Sequence, residues 1–129
     1  MILGNVVGAV RWTLRAEGAA LFIAALCLYA NFEFSWLTFA ILFLIPDLSF
    51  LGYLINNKVG AIAYNFAHSL VGAILILGLG FFNEVQLLQL LGLIWLAHIG
   101  FDRLLGYGLK YQRGFGYTHL GLIGKAKNI

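Results

Sequence analysis

The chain has 129 residues, 62% of them hydrophobic and only 10% charged, with eight basic residues against five acidic ones for a net charge of +3. Such a composition lies well outside the soluble range and excludes a water-soluble domain. The absence of any basic cluster interleaved with aromatics excludes nucleic-acid binding, and a single cysteine, Cys27, excludes an intramolecular disulfide.

A helix needs roughly 20 apolar residues to cross about 30 Å of hydrocarbon. Four such stretches, at about residues 14–31, 36–55, 59–82 and 85–106, divide the sequence. The expected architecture is all-α: one integral membrane domain, a four-transmembrane-helix bundle, over residues 1–129. Ahead of the first span, Ile2, Leu3, Val6, Val7 and Val10 recur at helical spacing opposite Gly4, Asn5 and Gly8, which predicts a short helix lying along the interface. The first span carries Glu17 near its start and no small-x-small cleavage site after it, so it reads as retained rather than as a signal peptide. Its stripe of small or polar residues, Glu17, Ala20, Ala24, Cys27 and Asn31, is expected to face the bundle, and Leu21, Phe22, Leu26 and Tyr29 the lipid.

The second span holds the only proline, Pro46, directly before Asp47. Proline takes a donor from the carbonyl four residues earlier, so a kink is expected beside a buried acid, unless Asp47 merely caps a restarted helix. In the third span Ala61, Asn65, His68, Ser69, Gly72 and Ala73 share one face, with Tyr64 one turn before His68. The fourth is Leu-rich up to Trp95 and then presents His98 and Asp102 four residues apart, with Arg103 beside them; Gly92 and Gly100 lower its bulk for close packing. From Gly106 onward, glycines mixed with Tyr107, Tyr111, Phe115, Tyr117 and cations predict an interfacial tail that contains His119 and either anchors the surface or closes the mouth of a site.

All eight basic residues fall on one side of these spans, whereas the first and third loops carry only Glu33 and Glu84. The positive-inside rule then places both termini in the cytoplasm, and the lipid bilayer of a bacterial inner membrane is the expected partner. Counting a rise of about 1.5 Å per residue, Glu17, Asp47, His68, His98 and Asp102 all fall in the cytoplasmic half. Ionisable groups at such depth are costly and face the bundle, where they pair or mark function.

Three readings follow. In the first, the chain is a metal-dependent hydrolase-like enzyme acting on a lipid or other membrane-associated substrate: His68, His98, Asp47 and Asp102 bind a divalent metal such as zinc, iron or manganese, with Glu17 as general base or fifth ligand and Tyr64, Asn65, Ser69, Arg103 and His119 as supporting groups. The second is a proton- or ion-linked transporter or channel acting as a homo-oligomer. The third is a structural subunit of a membrane complex whose polar groups only satisfy one another.

The runs IPDLSFLGYL, AYNFAHS, LAHIGFDRLLGYGLKY and THLG, with LRAEG at residues 14–18, resemble a bacterial family of small four-span membrane proteins classified as a domain of unknown function. That resemblance covers residues 14 to about 121 and implies the four-helix topology without an activity. More distantly, Pro46-Asp47 followed by histidines on later spans is similar to membrane-bound metal-dependent hydrolases of bacteria. Those proteins follow the Pro-Asp pair with a further Asp-His, where this chain has Leu48, Ser49 and Phe50.

Overall fold

In the computed structural model, which describes residues 6–112 and 114–123, four long apolar helical spans form one bundle. They run Gly8–Asn31, Trp36–Leu54, Asn57–Phe82 and Gln86–Leu105. The chain is therefore a multi-pass membrane protein, and its large apolar side chains point outward as a lipid-facing surface must: Leu37, Leu54, Phe66 and Phe82 are 71–88% exposed.

Helix α1 (Gly8–Asn31) packs along α5 (Gln86–Leu105). The contact depends on Gly18 and Gly100: a Cβ at Gly100 would lie 2.7 Å from the Phe22 nitrogen and 2.8 Å from the Gly18 carbonyl. The buried face of α1 is Gly18, Ala25 and Tyr29, with Leu21 and Phe22 packed beside it, while Glu17, Ala20, Ala24, Cys27 and Asn31 are exposed. This reverses the expected orientation. In a bilayer both surroundings of a helix are apolar, so shape rather than polarity selects the inward face. Tyr29 adds a reason of its own, because its hydroxyl donates to the Ser35 carbonyl at 2.5 Å and its ring packs against Phe34, Trp36 and Phe39.

A second correction concerns the amino-terminal interfacial helix. From Gly8 the chain is already α1, and Val7 is extended (φ −137°, ψ 167°) because the Val6 N–H donates to the His119 carbonyl at 2.8 Å. The part of that expectation resting on residues 2–5 lies outside the described residues.

Two of the four spans are interrupted. In the second, α2 (Trp36–Leu42) is followed by a 3-10 helix, Ile45–Leu54. In the third, α3 (Asn57–His68) and α4 (Leu70–Phe82) are separated by Ser69, whose extended backbone (φ −80°, ψ 145°) ends one helix while its Oγ accepts from the Val71 N–H to start the next. Both interruptions fall beside site residues.

After α5 the chain reverses at Gly106, whose φ of 91° is the left-handed conformation that glycine adopts without strain. The tail then folds back under the bundle. A two-stranded hairpin, β1 (Tyr117–Thr118) and β2 (Gly121–Leu122), is joined to the body by Arg11 Nε donating to the Leu120 carbonyl at 2.6 Å and by a pair of bonds between Asn65 and the main chain of Lys110.

Candidate metal centre

Pro46 sets the first part of the site. It has no N–H to offer the Leu42 carbonyl, so α2 stops at Leu42. The following Asp47 N–H turns to the nearer Leu44 carbonyl at 3.0 Å. That tightening leaves the Phe43 carbonyl free to accept from His98 Nδ1 at 2.7 Å. One proline thus aims Asp47 inward and provides the acceptor that orients His98.

The break at Ser69 sets the second part. His68, the last residue of α3, donates from Nδ1 to the Tyr64 carbonyl at 2.9 Å, and its ring stacks on Tyr64 with centroids 3.8 Å apart and 9° between planes. The His68 carbonyl, released by the break, accepts from Arg103 Nη2 at 3.2 Å. His98 and Asp102 come from successive turns of α5.

Four ligand-type atoms converge here, one from each of Asp47, His68, His98 and Asp102, all within 4.8 Å of one another. The two histidine Nε2 atoms are 3.1 Å apart. His68 Nε2 lies 3.2 Å from Asp47 Oδ1 and 3.3 Å from Asp102 Oδ2, and His98 Nε2 lies 3.2 Å from each carboxylate. The centre of a tetrahedron with edges of that length is about 2.0 Å from each corner, or about 2.4 Å if the Asp47–Asp102 edge opens to its limit, close to zinc–nitrogen and zinc–oxygen bond lengths. Since a carbonyl can only accept, both Nδ1 atoms carry the proton in the neutral rings, and both Nε2 atoms present bare lone pairs to the centre. Two lone pairs and two carboxylates repel one another unless a cation or added protons lie among them. The set can therefore coordinate a divalent ion, with the outer ring nitrogens held by main-chain carbonyls as metal-ligating histidines require.

Access is one-sided. The imidazoles are 3% and 2% exposed, whereas the Asp47 and Asp102 side chains are 33% and 18% exposed. The carboxylates open on a cavity of about 380 Å³ whose other wall is the tail, including Tyr107, Lys110 and Phe115. The tail thus forms one wall of the site without sealing it. Of the supporting residues expected from the sequence, Tyr64 and Arg103 touch His68 by stacking and through its carbonyl. Asn65 instead clamps the tail, its Nδ2 donating to the Lys110 carbonyl at 2.8 Å and its Oδ1 accepting from the Lys110 N–H at 2.6 Å. Ser69 caps α4. His119 accepts from the Leu109 N–H through Nδ1 at 2.9 Å and so holds the tail to itself. Burial first, and then the Arg103 charge, keep His119 below the usual histidine range. Glu17 is not brought to the cluster; it is exposed on α1, beside the buried Gly18.

Lys110 and Phe43 are the residues that sequence reasoning missed. Lys110 is 4% exposed, and burial pushes its ammonium down to about 8, with the Asp102 carboxylate opposing the shift. Its only sequence signal was a lysine among aromatics in a glycine-rich tail. Phe43 acts through its main chain, which side-chain patterns cannot reveal.

No curated protein and no solved structure matches the chain. The family described as Domain of unknown function (DUF4260) matches over residues 11–123, a range that takes in every residue of the cluster, the Pro46 and Ser69 breaks and the tail that covers them. On that match this four-span membrane protein, with its buried His/Asp cluster, belongs to the DUF4260 family.

Proposed function

We propose that the chain is a membrane-embedded metal-dependent hydrolase acting on a lipid or another membrane-associated substrate, with its site in the cytoplasmic leaflet. The observation that carries this reading is the four-atom cluster itself, with both Nε2 lone pairs and both carboxylates directed to one point. A divalent ion held by Asp47, His68, His98 and Asp102 would supply Lewis acidity and lower the pKa of a bound water. Asp47 has the more exposed carboxylate and lines the cavity, so its second oxygen is the group best placed to accept a proton from an incoming water. This role was expected of Glu17, which does not line the cavity.

A lipid-like substrate is supported by the surroundings of the 3-10 helix. Residues three apart share a face in that geometry. Asp47 and Phe50 face the polar cavity, and Pro46 and Ser49 face an apolar groove of about 430 Å³ that is also walled by Ala67 and Trp95. One short helix therefore separates a space suited to a headgroup from a space suited to an acyl chain. The cytoplasmic placement is supported by Arg11, Arg15, Lys58, Arg103 and Lys110, all at the end of the bundle that bears the tail.

The test is elemental analysis of protein purified in mild detergent, beside His68→Ala and His98→Ala variants. Near-stoichiometric zinc, iron or manganese that falls in both variants is expected, followed by a hydrolase screen on lipid esters. Folded wild-type protein that takes up no metal would sink the reading and favour the proton-relay alternative, for which flux in liposomes is the assay.

A further inference from the structure

We infer that the cavity between the cluster and the tail is an oxyanion site, with Lys110 as its cationic pole and a phosphoryl group as its ligand. This rests on the metal-dependent reading above and names the substrate class for it.

The case begins with how much of the tail is devoted to placing one ammonium group. Asn65 bonds both main-chain polar groups of Lys110. A bridge to Thr118 holds the residue from the other side, and the Thr118 hydroxyl in turn donates to the Gly121 carbonyl at 2.7 Å. So fixed, Lys110 Nζ donates to the Phe115 carbonyl at 2.8 Å and lies 3.7 Å from the Phe115 ring centroid and 4.7 Å from that of Tyr64. An ammonium has three donors. One is committed to the Phe115 carbonyl, and among the described residues no carboxylate lies within 4.0 Å of Nζ to take another.

A buried ammonium is costly unless compensated. The charges that line the cavity are Asp47 and Asp102 against Lys110, one negative charge in excess as it stands. A divalent ion in the cluster would leave that set with one positive charge in excess, and an anionic ligand restores the balance. The ligand must reach from the carboxylate edge of the cluster to Lys110 across a cavity of about 380 Å³. A phosphoryl group suits this, because its several oxygens can meet a metal ion and a lysine point charge together. The same group is available from a phospholipid headgroup and from free phosphate.

The experiment measures binding, not turnover. Wild-type protein in nanodiscs of uncharged lipid, loaded with zinc, is titrated with inorganic phosphate, with short-chain phosphatidic acid and with a short-chain fatty acid. Lys110→Met and Lys110→Arg are titrated in parallel. Expected are saturable binding of at least one phosphoryl probe, a loss of tenfold or more in Lys110→Met, and retention within about threefold in Lys110→Arg. Saturation by both phosphoryl probes identifies the phosphoryl group alone as the recognised unit, and saturation by phosphatidic acid alone identifies the lipid headgroup as its source. Equal affinity of wild type and Lys110→Met, or preference for the fatty acid, overturns the inference. Should Lys110→Met not fold, the lysine ammonium spectrum of ¹⁵N-labelled wild type gives the same answer: phosphate must shift the Lys110 signal and leave those of Lys58, Lys125 and Lys127 in place. Protein that binds zinc but no phosphoryl probe sinks this inference and leaves the metal centre standing. Protein that binds no zinc yet binds phosphate through Lys110 sinks the hydrolase and leaves the oxyanion site.

Discussion

His68 and His98 face each other through bare Nε2 atoms 3.1 Å apart while each donates its Nδ1 proton to a main-chain carbonyl, Tyr64 for one and Phe43 for the other. Neutral imidazoles in this arrangement cannot hydrogen-bond to each other, so the pair is stabilised only when a cation joins it. Metal removal should therefore cost stability. With zinc at about 100 times its dissociation constant, linkage adds about 2.7 kcal/mol to the folded state. A chelator should lower the thermal midpoint of the wild type accordingly and leave that of an Asp47→Asn/Asp102→Asn variant unchanged.

Pro46→Ala tests the origin of the site without touching a ligand. With an N–H restored at 46, α2 can continue past Leu42, Asp47 can bond back to Phe43, and His98 loses the acceptor that fixes its ring. The expected result is a folded protein whose metal affinity falls by about 10–100-fold, as when an outer hydrogen bond to a ligating histidine is lost. Competition with a chromogenic chelator reads it.

Asn65→Ala should release the tail. It removes two hydrogen bonds to the Lys110 main chain, each worth about 0.5–1.5 kcal/mol, and leaves both buried main-chain groups unpaired. Limited proteolysis should cut between residues 107 and 120 at least tenfold faster in the variant, with the four spans intact.

His119 makes the internal fold of the tail sensitive to acid. Burial and the Arg103 charge depress its pKa in the folded chain, and its Nδ1 must be unprotonated to accept from the Leu109 N–H. The unfolded chain takes up a proton near the ordinary value of about 6.5, whereas the folded chain resists it. The stabilisation is therefore whole above about pH 6.5 and is lost as the pH falls through the lower folded value. Hydrogen exchange of the Leu109 amide should accelerate over that acidic window in the wild type, and in His119→Ala, which has no side-chain acceptor, it should be fast and independent of pH beyond the intrinsic rate.

Glu84 offers a stability test remote from the site. Its φ of 54° is left-handed, a conformation that costs a side-chain-bearing residue of order 1 kcal/mol. Glu84→Gly should stabilise the bundle by up to about 1 kcal/mol, part of the gain being offset by the freer unfolded chain. Glu84→Val should destabilise it. Unfolding in mixed detergent micelles would measure both.

The four spans, the cluster members Asp47, His68, His98 and Asp102, and the helical break at Pro46 were all legible in the amino-acid sequence. Bilayer thickness fixes span length, and an ionisable group in an apolar helix must turn toward others of its kind. What the sequence could not decide was anything that depends on fit between apolar surfaces or on the main chain. The inward face of α1 is chosen by Gly18 meeting Gly100, which leaves Glu17 outside. The interruption at Ser69 frees a carbonyl for Arg103, and the Phe43 carbonyl orients a histidine 55 residues away. The attachment of Lys110 to Asn65 turns an interfacial tail into the wall of a cavity. Periodicity reports the polarity of side chains along one helix; these relationships come from backbone groups and close contacts between segments distant in the chain, and only the packed bundle determines them.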